Sequence, residues 1–588
     1  MSELSTVLIN DSRYVNITDK VVLGVKDGPA SVIYQKYIPN SNSTSSTLYN
    51  VNVPSENTLV DRNIHIQGTI SCYYETAIAA NATDAASGAV IFKVAPAAFP
   101  MNQALQSVSL TLNNSKLSVQ TQDILPVYLK QFQQKFLSKN CQMTPSYVDK
   151  YFGKVSGAVD NDGAGSYMSG IESAEKDSDT AGRFNEDFTV EVYLGSVAVA
   201  NLRTPDPVTG LYTITNSTAN ASTVIVVCSV TVSEPLLGLP TAVMKEDESN
   251  YLGINNLELL LQWNDMRNVF NISGSRLWKS YAGDRDERLV LDKQANLNLK
   301  YMSLHASQYA KLNSKNILPY DEMVCYKKLF TGSDTITQQL TDVISMRQIP
   351  DKIFIVVRPQ YQSQKPQFSN HLCFPITGLN ITFNNVSGLL TSYRQKDLYQ
   401  MSRRNGSQQT WAEFSGVVKN KGGLLYAGIG SIICINPITD LGLSDFLTSG
   451  SLGQFSFQAT VDYENIFDHT HGTATTVDTA DQFQACEIAT ICSYGGILIN
   501  DKGSSSTMSG LLTKQAVLEA KSGGSPSIDY EELSEMTGGN FSKMGMTNMK
   551  DLFGKMGKIR NAGKPKLEDV FNKVSSGSNI QDKLSKYM

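Results

Sequence analysis

Up to about residue 500 the chain is dominated by apolar and polar residues alternating with a period of two, the pattern of strands that bury one face. Val108-Ser109-Leu110-Thr111-Leu112 alternates, meets Asn113-Asn114-Ser115, and resumes at Leu117-Ser118-Val119. Turn-forming residues between two alternating runs predict a β-hairpin. Phe455-Ser456-Phe457-Gln458-Ala459-Thr460-Val461-Asp462-Tyr463 alternates throughout, and the β-branched run from Thr223 to Val232 suits a buried strand. Helical periodicity is sparse. Its clearest stretch is Asp123 to Leu137, where Ile124, Val127, Tyr128, Gln131 and Phe132 fall along one side. A polar stretch rich in Gly, Ser and Asp over about 155–185 predicts a long exposed loop. Beyond about Gly503 the strand pattern ends, and Gly, Ser, Lys and Met take over.

One stretch of the pattern occurs twice. Phe99-Pro100, then the alternating run Val108 to Leu112, Asn113-Asn114 and Gln122-Asp123-Ile124 are matched by Phe374-Pro375, Leu379 to Phe383, Asn384-Asn385 and Gln395-Lys396-Asp397-Leu398. In each copy an acidic residue, Asp123 or Asp397, stands where it can cap or open a helix. Copies half a chain apart are too distant for a solenoid and fit a duplicated domain.

Composition narrows the class. A chain of 588 residues exceeds one core and suits two large all-β domains, or three or four ordinary ones, and 41% apolar with 18% charged residues is a globular composition. Net charge is −5, but from Phe541 to Met588 ten Lys/Arg face four Asp/Glu, so the tail carries +6 and the rest about −11. The start, Met1-Ser2-Glu3-Leu4, has no basic stretch followed by an apolar run, so synthesis without a secretion signal is expected. The eight Cys are scattered without a CxxC pair, which predicts reduced, buried thiols.

Candidate chemistry is thin. Asp468-His469-Thr470-His471 is the one His cluster; two rings on one face of a strand suit a metal, but no third ligand has recognisable spacing, and a polar loop is the expected reading. The Gly-x-Gly of Ala427-Gly428-Ile429-Gly430-Ser431 leads into a strand, the wrong setting for a dinucleotide loop. No P-loop, HExxH or GxSxG motif occurs. No catalytic, cofactor-binding or metal residue is expected, and the chain is read as a non-enzyme without cofactors.

Four segments, in order, resemble the double jelly-roll major capsid proteins of virophages, Polinton-like viruses and related dsDNA viruses. They are Pro54 to Ile66 with its Val60-Asp61-Arg62; the Ser109 to Asn114 hairpin; Pro235-Leu236-Leu237 with Gly253 to Trp263; and Gly430-Ser431-Ile432-Ile433, Asn436-Pro437, Asp440-Leu441-Gly442-Leu443, Gly450, Gly453, Gln454, Gln458 and Tyr463-Glu464-Asn465. The resemblance covers roughly 20–500. It implies an all-β fold of two tandem jelly rolls: an N-terminal arm over 1–20, a first roll over 21–270, a second over 271–500, and a linker and basic tail over 501–588. It also implies a homotrimeric, pseudo-hexameric capsomer tiling an icosahedral shell around a DNA genome, located in the virion. Neighbouring capsomers, penton and minor capsid proteins are the implied partners.

Outside the resemblance, Met536-Thr537-Gly538-Gly539-Asn540 is similar to the Met-x-Gly-Gly signal cut by adenovirus-type maturation cysteine proteases. Paired glycines let an extended backbone enter a narrow groove. Phe541 to Asn561, with Met and Phe among Lys543, Lys550, Lys555, Lys558 and Arg560, suits a basic amphipathic helix able to contact genome DNA, the inner shell or a membrane. Two rivals differ in kind. A β-sandwich receptor-binding or adhesion protein would show secretion signals and repeated modules, and a carbohydrate-active sandwich would need two facing carboxylates in a cleft.

Overall fold

The computed structural model describes most of residues 31–513; residues 1–30 and 514–588 and several interior segments, the longest being 144–186 and 465–484, lie outside the description. The expected arm, the 155–185 loop, His469, His471 and the Met536–Asn540 segment therefore fall outside the described residues.

Eight main strands build a first sandwich: β1 (Ser31–Tyr37), β2 (Ser46–Asn52), β3 (His65–Ala77), β4 (Leu105–Leu112), β5 (Ser115–Val119), β6 (Thr223–Pro235), β7 (Asn256–Trp263) and β8 (Asn296–Ser303). Its sheets run β1-β8-β3-β6 and β2-β7-β4-β5, with shorter strands added at their edges. A second sandwich follows: β9 (Lys315–Thr331), β10 (Ile344–Gln348), β11 (Lys352–Pro359), β12 (Ile376–Phe383), β13 (Val386–Leu389), β14 (Ile433–Ile435), β15 (Ser451–Tyr463) and β16 (Ala485–Asp501). Its sheets run β9-β16-β11-β14 and β10-β15-β12-β13, the first order shifted by eight. In both, the first strand lies beside the last and an internal hairpin ends the facing sheet. That wrapping is a jelly roll, so the chain is a double jelly roll, as the resemblance implied. Both rolls lie in one compact unit ending at Gly523.

The expected boundaries need correction. β8 pairs along its length with β1, from Ser31↔Ser303 to Tyr37↔Leu297, and with the start of β3. The first roll therefore closes near Ser303 and not at 270. The second does not stop at 500, because Ser504–Ser509 pairs with the end of β16 and Leu512–Thr513 runs parallel to the start of β15. A jelly roll places its last strand beside its first, so its end is fixed by a partner hundreds of residues away and not by local composition.

Burial follows the alternation. In β7, Leu257, Leu259, Leu261 and Trp263 are buried, and in β15, Phe455, Phe457, Ala459, Val461 and Tyr463 are. Each roll has an apolar core, and that of the first also takes in Leu318 and Tyr320 of β9 and Leu498 of β16. β11 departs from the pattern: Ile353 to Pro359 are buried without interruption, because its second face is also covered.

The repeat is structural as well as sequential. Asn113 and Asn384 both have φ 52°, a left-handed conformation that Asn tolerates better than most residues. Each sits at the tip of its hairpin and makes the same two bonds. Asn113 N–H donates to Asn256 O (2.9 Å), and Asn256 N–H donates to Asn113 Oδ1 (3.4 Å). Asn384 N–H donates to Ser456 O (2.8 Å), and Ser456 N–H donates to Asn384 Oδ1 (2.9 Å). The Phe-Pro pairs are not equivalent: Phe99 is left-handed (φ 56°) ahead of a short helix, whereas Phe374 N–H donates to Val357 O (2.7 Å).

The helix expected over 123–137 is two helices. α1 spans Thr121–Leu129, the chain turns at Lys130 and Gln131, and a second helix runs Gln134–Asn140. In the second roll α2 spans Gln395–Arg404. Neither acid is the N-cap residue: those are Gln120 and Arg394. Asp397 serves the first turn, its Oδ2 accepting the Arg394 backbone N–H at 3.0 Å. Asp123 also lies in the first turn of its helix, but its carboxylate has partners in the other roll.

Candidate assembly interface

Asp123 stands at the seam between the two rolls. One side of α1, with Val119 before it, presents Val119, Ile124 and Val127 to the outer face of the β9-β16-β11-β14 sheet, where Phe354, Val356, Ala489, Ile491 and Cys434 point away from their own core. Alternation along β11 makes this possible: Ile353, Ile355 and Val357 face inward, Phe354 and Val356 outward. Burial pushes the seam thiols up, Cys373 to about 11 and Cys434 to about 12, so both stay protonated and unreactive at neutral pH. Six of the eight cysteines are buried.

Charged groups fix how the rolls meet. Arg358, at the end of β11, donates from Nη2 to Asp123 Oδ1 (3.1 Å), from Nη1 to Asp123 O (3.1 Å) and from Nε to Glu487 Oε1 (2.7 Å). Lys327 of β9 reaches Asp123 Oδ1 at 2.5 Å. Burial disfavours the Arg358 charge, but Glu487 and Asp123 together hold its pKa above the usual value. A second buried pair joins Lys130, just after α1, to Glu413 at 2.8 Å. Burial alone would raise the Glu413 carboxyl; Lys130 and the Thr410 donors outweigh it and hold it low. Buried pairs of this kind add little net stability but penalise every misaligned docking, which leaves a charge unpaired.

The hairpin tip forms a third contact. Asn113 Nδ2 donates to Ser505 Oγ (2.9 Å), Ser115 Oγ to Ser505 O (2.6 Å), and Ser505 N–H to Asn114 Oδ1 (2.7 Å). Gly503 lies against the segment before β7, which Asn113 also bonds: its N–H donates to Gly253 O (2.9 Å), its φ is +82°, and a Cβ there would fall 2.4 Å from Asn255 Nδ2.

A strongly perturbed acid is the usual sign of a catalytic site. Glu234 is such a group: burial raises its pKa to about 8, against the opposing pull of the Asn102 donors (Nδ2 at 3.0 Å, backbone N–H at 3.3 Å). It is sealed inside the first roll, not in a cleft. Its folded pKa exceeds the unfolded value, so the folded state holds more protons between about pH 4.5 and 8. Stability should therefore fall as pH rises through that window. Glu234→Gln keeps an acceptor for Asn102 and should flatten the fall, with the unfolding midpoints of variant and wild type diverging from pH 5 to 8 in the variant's favour. Parallel curves would show that Glu234 does not titrate there.

Among the described residues no cluster of three or more His, Cys, Asp or Glu side chains is placed to hold a metal, and no helix is long and apolar enough to cross a membrane. Of the residues that build the seam, the sequence singled out Asp123, as a residue that caps or opens a helix, and the Asn-Asn pair, as a hairpin turn. Arg358, Glu413, Glu487 and Ser505 were missed. The available signal was Arg358 closing the unbroken apolar run from Ile353, which marks a strand buried on both faces.

Two jelly rolls locked side by side through a buried, charge-matched seam define the double jelly-roll class. Residues 2–309 match the family described as Sputnik virophage major capsid protein 1st domain, and residues 326–496 match the major capsid protein V20 C-terminal domain. The chain belongs to the virophage major capsid protein family. A capsid protein of Sputnik virophage, V20, is 24% identical over 595 residues, covering 95% of this chain and 88% of the relative. The Sputnik virophage structure solved by cryo-EM overlaps 90% of this chain and 98% of its own with a TM-score of 0.65 at 19% identity. The crystal structure of the mavirus major capsid protein overlaps 88% and 98% with a TM-score of 0.60 at 15% identity. This membership decides for a viral major capsid protein and against the adhesion reading.

Proposed function

We propose that the chain assembles as a homotrimer whose six rolls form a pseudo-hexagonal capsomer, and that these capsomers tile an icosahedral shell around a DNA genome. The observation that carries this is the seam: it joins two equivalent rolls in one compact unit, so three copies supply six similar wedges. A closed three-fold ring buries a surface of every subunit without open-ended growth. The role is structural and non-enzymatic, in the virion, with neighbouring capsomers, penton and minor capsid proteins as partners. Sedimentation of the purified full chain at micromolar concentration should give a trimer, and negative-stain images should show hexagonal outlines. A monomer that forms no larger particle under any assembly condition overturns the reading.

Maturation belongs to the same proposal. A cysteine protease cuts next to Gly539 in Met536-Thr537-Gly538-Gly539-Asn540, releasing the basic segment that follows. Before release, its charge of +6 draws acidic subunits to DNA in a salt-sensitive way. Intact mass of the protein from purified particles should correspond to a chain ending near Gly539, and replacing Gly538 and Gly539 with Val should leave the full-length mass. Full-length mass in wild-type particles rules the cut out.

A further inference from the structure

Asn405-Gly406 is the only Asn-Gly dipeptide in the 588 residues. It forms the end of α2. Asn405 is the C-cap, with φ −85° and ψ 6°, and Gly406 follows at φ +106°, the left-handed position that a helix end gives to glycine. Asn405 N–H donates to Met401 O (3.1 Å), Gly406 N–H to Arg403 O (3.2 Å) and Ser407 N–H to Ser402 O (2.9 Å). The turn also reaches outward. Asn405 Nδ2 donates to Asp440 Oδ2 (2.6 Å), in the short helix Pro437–Asp440, and to Cys434 O (2.9 Å) of β14. Gln408 N–H donates to the backbone oxygen of Lys130 (2.8 Å), the residue whose side chain pairs with Glu413. The exit from α2 therefore ties β14 of the second roll to the first roll's side of the seam.

Asn-Gly is also the dipeptide most prone to attack itself, because glycine has no Cβ to hinder its backbone nitrogen from reaching the preceding side-chain amide. We propose that Asn405-Gly406 is a self-modification site held shut by the α2 exit turn, and that its conversion to aspartate or isoaspartate when the turn opens undoes this part of the seam for good. The Gly406 nitrogen loses its proton and bonds to Asn405 Cγ. The Cγ–Nδ2 bond breaks, and the amide nitrogen leaves as ammonia with a proton taken up in place of the one Gly406 lost. Water then adds to either carbonyl of the five-membered imide and breaks its bond to the ring nitrogen, giving aspartate or isoaspartate. One water is consumed, one ammonia is released, and nothing is oxidised or reduced.

Three features of the closed turn block the reaction. The attacking nitrogen is engaged, its N–H bonded to Arg403 O. The amide under attack is held at both of its outward bonds, by Asp440 and by the Cys434 carbonyl. The helical ψ of 6° at Asn405 keeps the Gly406 nitrogen out of line with Cγ, and the rotation that closes the ring ends the cap. Conversion therefore proceeds from the opened turn, at a rate set by how often this helix end opens locally. The product cannot close again. Aspartate brings a second acceptor to Asp440 Oδ2 and Cys434 O, where a donor is required. Isoaspartate adds a carbon to the backbone, so the bonds of Gly406 and Ser407 back to α2 fall out of register.

Ageing the full chain in mildly alkaline buffer, below its unfolding temperature, tests the site. Peptide mapping by mass spectrometry follows amide-to-acid conversion at Asn405 and the isoaspartate formed. Conversion should be at least about tenfold faster in urea-denatured than in native chain, and Asp440→Ala should speed the native reaction by about tenfold, the worth of one bond to a charged acceptor. As wild type converts, its thermal midpoint should fall with the converted fraction. Asn405→Gln, whose longer side chain closes the ring poorly, should age without that fall. If Asp440→Ala does not fold, the ratio of native to denatured rates in wild type measures the same restraint. Equal native and denatured rates, or an Asp440→Ala rate equal to wild type, would show that the turn does not hold the site shut. No conversion in the native chain, a converted chain that melts like fresh protein, or an equal fall in Asn405→Gln overturns the proposal.

Discussion

Arg358→Met is expected to destabilise the protein by about 3–5 kcal/mol, because it strands buried carboxylates without their cation. Glu487 loses its Nε donor at 2.7 Å and Asp123 loses two bonds, keeping only Lys327 as an ionic partner among the described residues. The methionine fills much of the same space, so the loss reports charge and not a cavity. Denaturant unfolding measures it, and adding Glu487→Met should recover a large part, since the stranded charge then disappears with its partner. A cost below about 1 kcal/mol for the single variant would mean that water reaches the seam and solvates Glu487.

Gly430→Ala is the second large effect. Gly430 has φ +101°, and a Cβ there would stand 1.8 Å from the Cys373 carbonyl oxygen, so backbone itself has to move. That backbone is tied on all sides. Gly430 N–H donates to Glu413 O (2.9 Å), Gly430 O accepts from Gln409 Nε2 (2.8 Å), and Cys373 N–H donates to Ile429 O (2.6 Å). Relief in any direction breaks a buried bond, two of them in the segment that holds the Glu413 side of the seam. We expect a loss above about 4 kcal/mol, enough to abolish soluble full-length protein. Gly442→Ala provides the contrast. Its φ is +57° with nothing within 4 Å of the added carbon. Only the left-handed backbone then resists, at about 1–2 kcal/mol. Equal costs at the two sites would show that conformation, not the approach to Cys373, sets the Gly430 requirement.

Local physics made part of this protein legible. The hairpins were readable because turn chemistry acts over a few residues: Asn tolerates the left-handed tip, and alternation on either side sets which face is buried. The duplication followed, and the equivalent bonds of Asn113 and Asn384 are its structural form. The buried thiols were readable for the same reason, lying within apolar strand patterns. The order of four segments was enough to identify the family.

What the sequence could not determine depends on pairing across long separations. The first roll was expected to end at 270, but its last strand begins at Asn296 and is held by Ser31–Tyr37. Nothing local to either strand announces the other. The seam is the stronger case. Asp123 carries the chemistry of a helix cap, and only the docking of α1 on β11 turns it into the partner of Arg358, 235 residues away. Ser505 lies where strand signals fade, yet the first roll's turn clasps it across 390 residues. Side-chain type and spacing fixed which faces would be buried and where turns would fall, because those are set by neighbours along the chain. Which buried face met which, and which charges would be paired when they did, was decided by tertiary structure, because desolvation penalises each misaligned docking only once both surfaces are in contact.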